Sequence, residues 1–242
     1  GAMFIGPPGN GKTHTVKALI NQLGHPCLYV KGFKSEYATE QENLGAVFAR
    51  ARMTTPCLMV LEDIDAMIDD ENRSFFLNEL DGFESNTGLV VLATTNHPGR
   101  LDPAILNRPS RFDRKYYFNL PTAAERFAYV AAWNKQLQPE LRLSERAAGA
   151  VVQQTENFSF AYMKELFVSA TMQWMSNRGD MLDSPSGDLP NDESMDATIL
   201  DQAARLRAQM TTLSESPASS ASTNGPLAHA LATARRFFTL KA

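Results

Sequence analysis

Short apolar runs alternate with amphipathic stretches through the first 120 residues of the chain. The apolar runs predict five strands, at residues 3–5, 28–30, 57–61, 89–93 and 115–118. Residues 57–61 are apolar throughout, which is typical of a strand buried on both faces of a parallel sheet. Apolar residues at helical spacing predict helices at residues 15–23, 40–53 and 74–80. This alternation predicts an α/β fold in which a central parallel five-stranded sheet is flanked by helices.

The strand pattern stops at residue 121, and the pattern beyond it predicts helices at residues 123–138, 144–154 and 160–177. We therefore expect a large α/β domain at residues 1–120, followed by a small all-α lid domain at residues 121–178. The acidic, Ser- and Pro-rich composition of residues 179–195 predicts a flexible insertion. Beyond it we expect a helix that packs on the lid, a linker and a C-terminal helix, at residues 196–213, 214–225 and 226–242.

The composition is ordinary for a globular protein, with 43% hydrophobic and 21% charged residues among 242. A formal net charge of -4 gives no electrostatic reason to expect a nucleic-acid partner. The four histidines show no metal-ligand spacing, and no apolar run approaches the roughly 20 residues that span a bilayer. Cys27 and Cys57 each begin an apolar run and are interpreted as buried free thiols. Free thiols favour a reducing, intracellular compartment, with the cytoplasm expected first and the mitochondrion as the alternative.

Residues 6–13, Gly-Pro-Pro-Gly-Asn-Gly-Lys-Thr, fit the P-loop pattern G-x-x-x-x-G-K-[ST] between the first predicted strand and the first predicted helix. The glycines let the backbone curl, so that successive N–H groups and the helix N-terminus point at one phosphate. In this pattern Lys12 reaches the β- and γ-phosphates, and the Thr13 hydroxyl holds Mg²⁺. The residues predicted to bind the nucleotide are Pro8, Gly9, Asn10, Gly11, Lys12, Thr13 and His14.

Two carboxylates, Glu62 and Asp63, directly follow the predicted strand at residues 57–61. The carboxyl end of a strand in an open α/β sheet faces the ligand crevice, so both are expected beside the phosphates. One carboxylate there can hold the Mg²⁺ shell, and its neighbour can polarise the attacking water. An acidic turn without a chemical role is the alternative for this pair taken alone.

With the motifs further along, the chain resembles the AAA family of P-loop ATPases, in the branch that remodels proteins. The resemblance rests on the Gly-rich loop, the acidic pair, Thr94-Thr95-Asn96 and residues 101–114, in that order. It implies that the bound nucleotide is ATP with Mg²⁺, and that Asn96 contacts the γ-phosphate or the lytic water. Arg108 and Arg111 match two arginines that reach a neighbouring subunit's nucleotide. These arginines imply a homo-oligomeric ring, which we expect to be a hexamer.

The acidic pair is reversed relative to the family's usual Asp-Glu order. By position Glu62 takes the magnesium side, together with Thr13, and Asp63 takes the role of catalytic base. Asp63 is one methylene shorter than the usual glutamate, and a difference of roughly 1.5 Å in reach matters for attack geometry. In the helical region, Phe160-Ala161 stands where the family has Gly-Ala, and no arginine matches the second sensor of other branches.

Ring ATPases of this family present an aromatic side chain to a central pore, after the second strand. Tyr37 is the candidate in this sequence, and Phe33 is the alternative. The favoured hypothesis is a ring-forming ATPase that remodels or unfolds a protein partner, with no nucleic-acid partner and no membrane segment in this chain. An ATP-dependent switch or scaffold with weakened catalysis, and a motor that acts on nucleic acid, are the alternatives. Because the Gly-rich loop lies so close to residue 1, we also expect lost upstream residues that complete the nucleotide pocket.

Overall fold

A computed structural model of the chain describes residues 1–81, 85–106, 111–182 and 194–215. The strands are β1 (Ala2–Ile5), β2 (Cys27–Val30), β3 (Cys57–Leu61), β4 (Leu89–Thr95) and β5 (Arg114–Tyr117). The helices are α1 (Lys12–Leu23), α2 (Glu40–Met53), α3 (Ile64–Met67), α4 (Arg73–Asp81), α5 (Pro103–Leu106), α6 (Ala123–Gln136), α7 (Glu145–Gln154), α8 (Phe160–Leu182) and α9 (Met195–Glu215). Gly1–Leu206 form one compact unit, and a second unit begins at Arg207, inside α9.

The five strands form one parallel sheet in the order β2-β3-β4-β1-β5. The parallel five-stranded sheet predicted from the sequence is therefore confirmed. All five residues of β3 are buried, as its continuous apolar sequence indicates. Because β3, β4 and β1 are neighbours, the segments that follow them leave the sheet at the same edge. The Gly-rich loop, the acidic pair and Asn96 are brought together in this way.

Two apolar layers cover the faces of the sheet. Leu44 and Phe48 of α2, with Phe76 of α4, pack against Met59 on one face. Val16 of α1 packs against Leu58 and Val60 on the other face. Because side chains alternate along a strand, Glu62 continues the series of Leu58 and Val60 and lies on the α1 side.

Every element that the structure describes after residue 121 is a helix. Helix α6 begins at a capping box, in which Thr122 and Glu125 satisfy each other's backbone N–H groups. Helix α8 runs on to Leu182, past residue 177, where the sequence pattern ended it. Most of the predicted insertion, nearly all of the predicted linker and the predicted C-terminal helix lie outside the described residues. Among the described helices, none combines the length and the apolar character needed to cross a membrane.

Candidate functional site

Two glycines of the loop have left-handed backbone conformations, with φ of 81° at Gly9 and 94° at Gly11. A β-carbon on Gly9 would lie 2.7 Å from the Ala161 β-carbon and 2.8 Å from the Ser159 hydroxyl oxygen. Only glycine fits this position, both because of its backbone angle and because α8 begins against it. The loop shape therefore follows directly from the glycine positions in the sequence.

The curled loop leaves a row of backbone donors at the start of α1. The N–H groups of residues 9–14 meet no acceptor within the part of the chain that the structure describes. Gly11 caps the twelve-residue helix α1 without a side-chain hydrogen bond. Unsatisfied N–H groups and the positive end of a helix dipole favour a bound anion. These residues fit the phosphate chain of a nucleotide.

Lys12 carries the positive charge at the centre of the site. Its side chain is buried, and its ammonium donates hydrogen bonds to the carbonyls of Gly6 (2.6 Å) and Pro7 (2.9 Å). It also donates to the Asn96 Oδ1 atom, at 2.7 Å. Burial lowers the pKa of Lys12, while the carboxylates of Asp63 and Asp65 partly oppose that effect. The Lys12 ammonium therefore links the Gly-rich loop after β1 to Asn96 after β4.

Asn96 links that cation to the acidic pair. Its Nδ2 atom donates to the Asp63 carboxylate at 2.8 Å. Asp63 has a left-handed backbone (φ 53°, ψ 53°), and its N–H donates to the Thr94 hydroxyl at 2.9 Å. Burial and the neighbouring carboxylates of Glu62 and Asp65 raise the pKa of Asp63, against the opposing charge of Lys12. A raised pKa makes the Asp63 carboxylate a stronger base, which suits a proton acceptor, and strained backbone is common at functional sites.

Glu62 accepts hydrogen bonds at both of its carboxylate oxygens. Thr13 donates to Oε1 at 2.5 Å, and the Tyr29 phenol donates to Oε2 at 2.5 Å. Burial raises the pKa of Glu62, but these two hydrogen bonds and the charges of Lys31 and Lys17 outweigh it, so the net shift is downward. The carboxylate is therefore held ionised.

The Thr13 hydroxyl and the Glu62 carboxylate converge beside the free N–H groups of the loop. Mg²⁺ in nucleotide sites takes one or two protein oxygens, with phosphate oxygens and waters completing its shell. Two converging oxygens fit that need. A metal site made only of protein side chains would need more ligands than these two. The described residues contain no group of three or more His, Cys, Asp or Glu that could hold a metal ion in that way.

The helical region contacts the loop directly. The Ala161 N–H donates to the Gly9 carbonyl at 2.9 Å, and the Phe160 N–H donates to the Asn10 Oδ1 atom at 3.4 Å. The Asn10 side chain is buried and also donates to the Phe118 carbonyl, at 3.5 Å. Asn10 thus serves the packing of the loop through its side chain, and its backbone N–H is one of the loop donors without an acceptor among the described residues. Pro8 on the loop and His14 in the first turn of α1 are exposed.

Arg111, predicted to reach a neighbouring subunit's nucleotide, is engaged by residues of its own chain, and its role at a neighbouring site stays a prediction. Its side chain is 3% exposed and is paired with Asp81 at 2.6 Å. Its remaining donors meet the same carboxylate and the Ala104 carbonyl. A guanidinium this deeply buried needs such partners, and Asp81 and the Ala104 carbonyl supply them. The other predicted arginine, Arg108, lies outside the described residues.

The two candidates for a pore-facing aromatic residue have opposite environments. Phe33 is 3% exposed and belongs to the core between the sheet and α2. Tyr37 is 94% exposed, in the segment between β2 and α2. Only Tyr37 is accessible to a partner.

Two residues of the site have no counterpart among the sequence predictions. Tyr29 faces Glu62, because Tyr29 pairs with Val60 in the β2–β3 register and Glu62 lies two residues further on the same face. Asp65 accepts hydrogen bonds from the Thr95 hydroxyl (2.6 Å) and the Asn96 N–H (3.3 Å), so it orients the sensor segment. Tyr29 can be assigned to the site only when the register between β2 and β3 is known. In the sequence, the one sign of it is a polar side chain at the penultimate position of β2.

Comparison with known proteins agrees with this geometry. Residues 2–120 match the family model "ATPase family associated with various cellular activities (AAA)". The ATP-dependent zinc metalloprotease FtsH of Acidothermus cellulolyticus is 37% identical over 193 residues, which are 71% of this chain and 28% of the relative. The FtsH of Heterosigma akashiwo is 34% identical over 192 residues, with the same shares. That of Mycoplasmoides gallisepticum is 31% identical over 227 residues, 86% of this chain and 28% of the relative. The chain thus spans less than a third of the length of these relatives.

Proposed function

Since this chain belongs to the AAA family of ATPases, we propose that it binds ATP with Mg²⁺ and hydrolyses the γ-phosphate as one subunit of a ring, which is a hexamer. The ring couples hydrolysis to the remodelling or unfolding of a protein partner. The relatives are named as ATP-dependent proteases. The part of this chain that matches the family model, residues 2–120, is an ATPase domain, so the ATP dependence of these relatives is the property extended to it.

The proposal rests on two adjacent sets of hydrogen bonds that join the residues following β1, β3 and β4. Lys12 contacts Asn96 at 2.7 Å, Asn96 contacts Asp63 at 2.8 Å, and Thr13 contacts Glu62 at 2.5 Å. The free N–H groups of residues 9–14 lie beside this set. A cation, an amide and two acids with different surroundings are what phosphoryl transfer to water requires.

Each residue has a task that follows from its surroundings. The loop N–H groups and Lys12 hold the phosphates and balance their charge. Glu62, kept ionised, and the Thr13 hydroxyl are placed to hold Mg²⁺, which supplies charge neutralisation at the phosphates when bound. Asp63, whose pKa is raised, accepts the proton of the attacking water, and Asn96 orients that water beside it.

Two features support the ring and its partner. Arg108 and Arg111 both follow the family pattern for residues that stabilise charge in a neighbouring site, and within the chain Arg111 is paired with Asp81. Tyr37, 94% exposed, is the accessible aromatic residue after β2 and is assigned to contact the protein partner. A large aromatic side chain offers apolar contact area to a partner polypeptide whatever the sequence of that partner.

The test is steady-state phosphate release from Mg²⁺-ATP, measured over a range of protein concentrations. Release is expected to rise more than linearly with concentration, because the ring must assemble, and to vanish in Lys12→Ala. Lys135→Ala is the matched control, since this exposed lysine lies on α6, away from the loop. Release that Lys12→Ala leaves unchanged would refute the proposal.

The reversed acids support a second candidate, an ATP-dependent switch or scaffold with weak hydrolysis. The observation that favours it is that the shorter acid, Asp63, is tied to Asn96 by a 2.8 Å hydrogen bond and has a strained backbone. Tight binding of a fluorescent ATP analogue without turnover, together with turnover after exchange of the two acids, would favour the switch. Turnover in the natural sequence at a rate typical of ATPases excludes it.

A further inference from the structure

Tyr29 occupies the side of Glu62 that faces away from the Gly-rich loop. It is the third residue of β2 and stands opposite Val60 of β3. Glu62 is on the same face of the sheet, two residues beyond Val60, so a long side chain at position 29 reaches it. The phenol donates to Glu62 Oε2 at 2.5 Å, while Thr13 donates to Oε1 at 2.5 Å.

We propose that Tyr29 is a positioning residue: its hydroxyl holds the carboxylate of Glu62 in the orientation that serves Mg²⁺ binding with Thr13. The inference rests on the proposed function, since it assigns Tyr29 a role in that same site. A glutamate has one more rotatable bond than the aspartate usual at this position, so its carboxylate samples more directions. Hydrogen bonds from two sides, one to each oxygen, remove that freedom. Tyr29 thus offsets the greater side-chain freedom of Glu62 relative to an aspartate at this position.

The charge states of the groups suit this arrangement. Burial and the hydrogen bond to Glu62 raise the pKa of Tyr29, so the phenol keeps the proton that it donates. Lys31, whose ammonium lies 5.8 Å from the centre of the Tyr29 ring, helps to keep Glu62 ionised. A charge-assisted hydrogen bond between a phenol and a carboxylate is stronger than one between neutral groups. The contact is therefore well suited to fix a rotamer.

The alternative is that Tyr29 only fills space, since its ring packs against the apolar cluster of Phe4, Val16 and Val60. Tyr29→Phe separates the two roles, because it keeps the ring and removes the hydroxyl. Tyr116→Phe is the matched control, since it removes a phenolic hydroxyl from β5, at the opposite edge of the sheet.

The experiment titrates a fluorescent ATP analogue into the protein, with and without Mg²⁺. Loss of a group that orients a metal ligand weakens metal binding about 10–100-fold. We expect Tyr29→Phe to weaken the Mg²⁺ dependence of analogue binding by about 10-fold. Its analogue binding without Mg²⁺ should match that of the natural sequence and of Tyr116→Phe, and urea unfolding checks that the variant is folded under the assay conditions.

A double-mutant cycle with Glu62→Asp completes the test. The shorter aspartate cannot reach the phenol, so Tyr29→Phe should have no further effect in that background. An unchanged Mg²⁺ dependence in Tyr29→Phe, or an equal effect with and without Glu62→Asp, overturns the inference. If the natural sequence binds the analogue and only the Tyr29 effect is missing, the proposed function stands. If the natural sequence binds no analogue at all, the proposed function and this inference both fall.

Discussion

Replacing Arg111 by alanine tests whether this residue stabilises its own subunit. The guanidinium is 3% exposed and makes three contacts with the Asp81 carboxylate, at 2.6, 3.1 and 3.1 Å. It also donates to the Ala104 carbonyl. Truncation removes these donors from a buried site and takes away the cation that faces Asp81. Arg111→Ala is therefore expected to destabilise the folded protein.

The size of the effect follows from burial. Breaking a buried ion pair costs about 3–5 kcal/mol. The Asp81 side chain keeps 26% of its exposure, so water compensates part of the loss and the lower end of that range, about 3 kcal/mol, is expected. With an m-value of about 2–3 kcal/mol per M of urea, the unfolding midpoint falls by roughly 1–1.5 M.

The assay is urea unfolding followed by tryptophan fluorescence. Arg114→Ala is the control, because this arginine is exposed in β5 and its replacement should change the free energy of unfolding by no more than about 0.5 kcal/mol. Arg111→Ala and Asp81→Ala together should cost less than the sum of the two single changes, since the pair is removed as a unit. Asp81→Asn serves as a milder variant if Arg111→Ala does not fold.

One result would refute this reasoning. If Arg111→Ala unfolds at the same urea concentration as the natural sequence but loses phosphate release, Arg111 acts in catalysis. Recovery of release on mixing Arg111→Ala with Lys12→Ala subunits would then place its action on a neighbouring subunit.

Three further outcomes are expected. Gly9→Ala should abolish binding of a fluorescent ATP analogue and lower the free energy of unfolding by about 1–2 kcal/mol. The reason is that φ at Gly9 is 81° and the added β-carbon would lie 2.7 Å from the Ala161 β-carbon. Undiminished binding would contradict this loop geometry. Phe33→Ala should lower the free energy of unfolding in urea by about 3–5 kcal/mol, and Tyr37→Ala by no more than about 0.5 kcal/mol. The reason is that Phe33 is 3% exposed and Tyr37 is 94% exposed. Equal losses would contradict the burial of Phe33 and the exposure of Tyr37. Hydrogen bonds from Thr122 lower the pKa of Glu125 below its ordinary value of 4.5. The contribution of Glu125 to folding stability is therefore complete above pH 4.5 and is lost as the pH falls through the lowered pKa. The stability gap between the natural sequence and Glu125→Gln should therefore close on acidification from pH 7, and a constant gap in thermal unfolding would argue against the capping box.

The elements that the sequence predicts well are those whose signals are local. Glu40–Met53 is helical with the bounds predicted, because Thr39 supplies a capping box and apolar residues recur at helical spacing within its 14 residues. Strand β4 runs two residues further than predicted, to Thr95, because hydrogen bonding continues where the apolar pattern stops. The four-residue helix Ile64–Met67 is too short to show a period.

The parts that escaped prediction depend on contacts between distant residues. The burial of Arg111 requires a carboxylate 30 positions earlier, at the end of α4, and no pattern in the sequence joins the two. The same is true of Tyr29, which meets Glu62 across 33 positions through strand register. The Gly-rich loop, Glu62, Asp63 and Asn96 were found because each follows a strand that is recognisable by itself.

The contact between the loop and α8 has a mechanical consequence. The Ala161 N–H, at the start of α8, is bonded to the Gly9 carbonyl of the phosphate loop. Helix α8 has 23 residues and is therefore about 35 Å long, at 1.5 Å per residue. A tilt of about 10° around this bond would displace the far end of the helix by roughly 6 Å. A small rotation at the phosphate loop would therefore become a much larger displacement at the far end of α8.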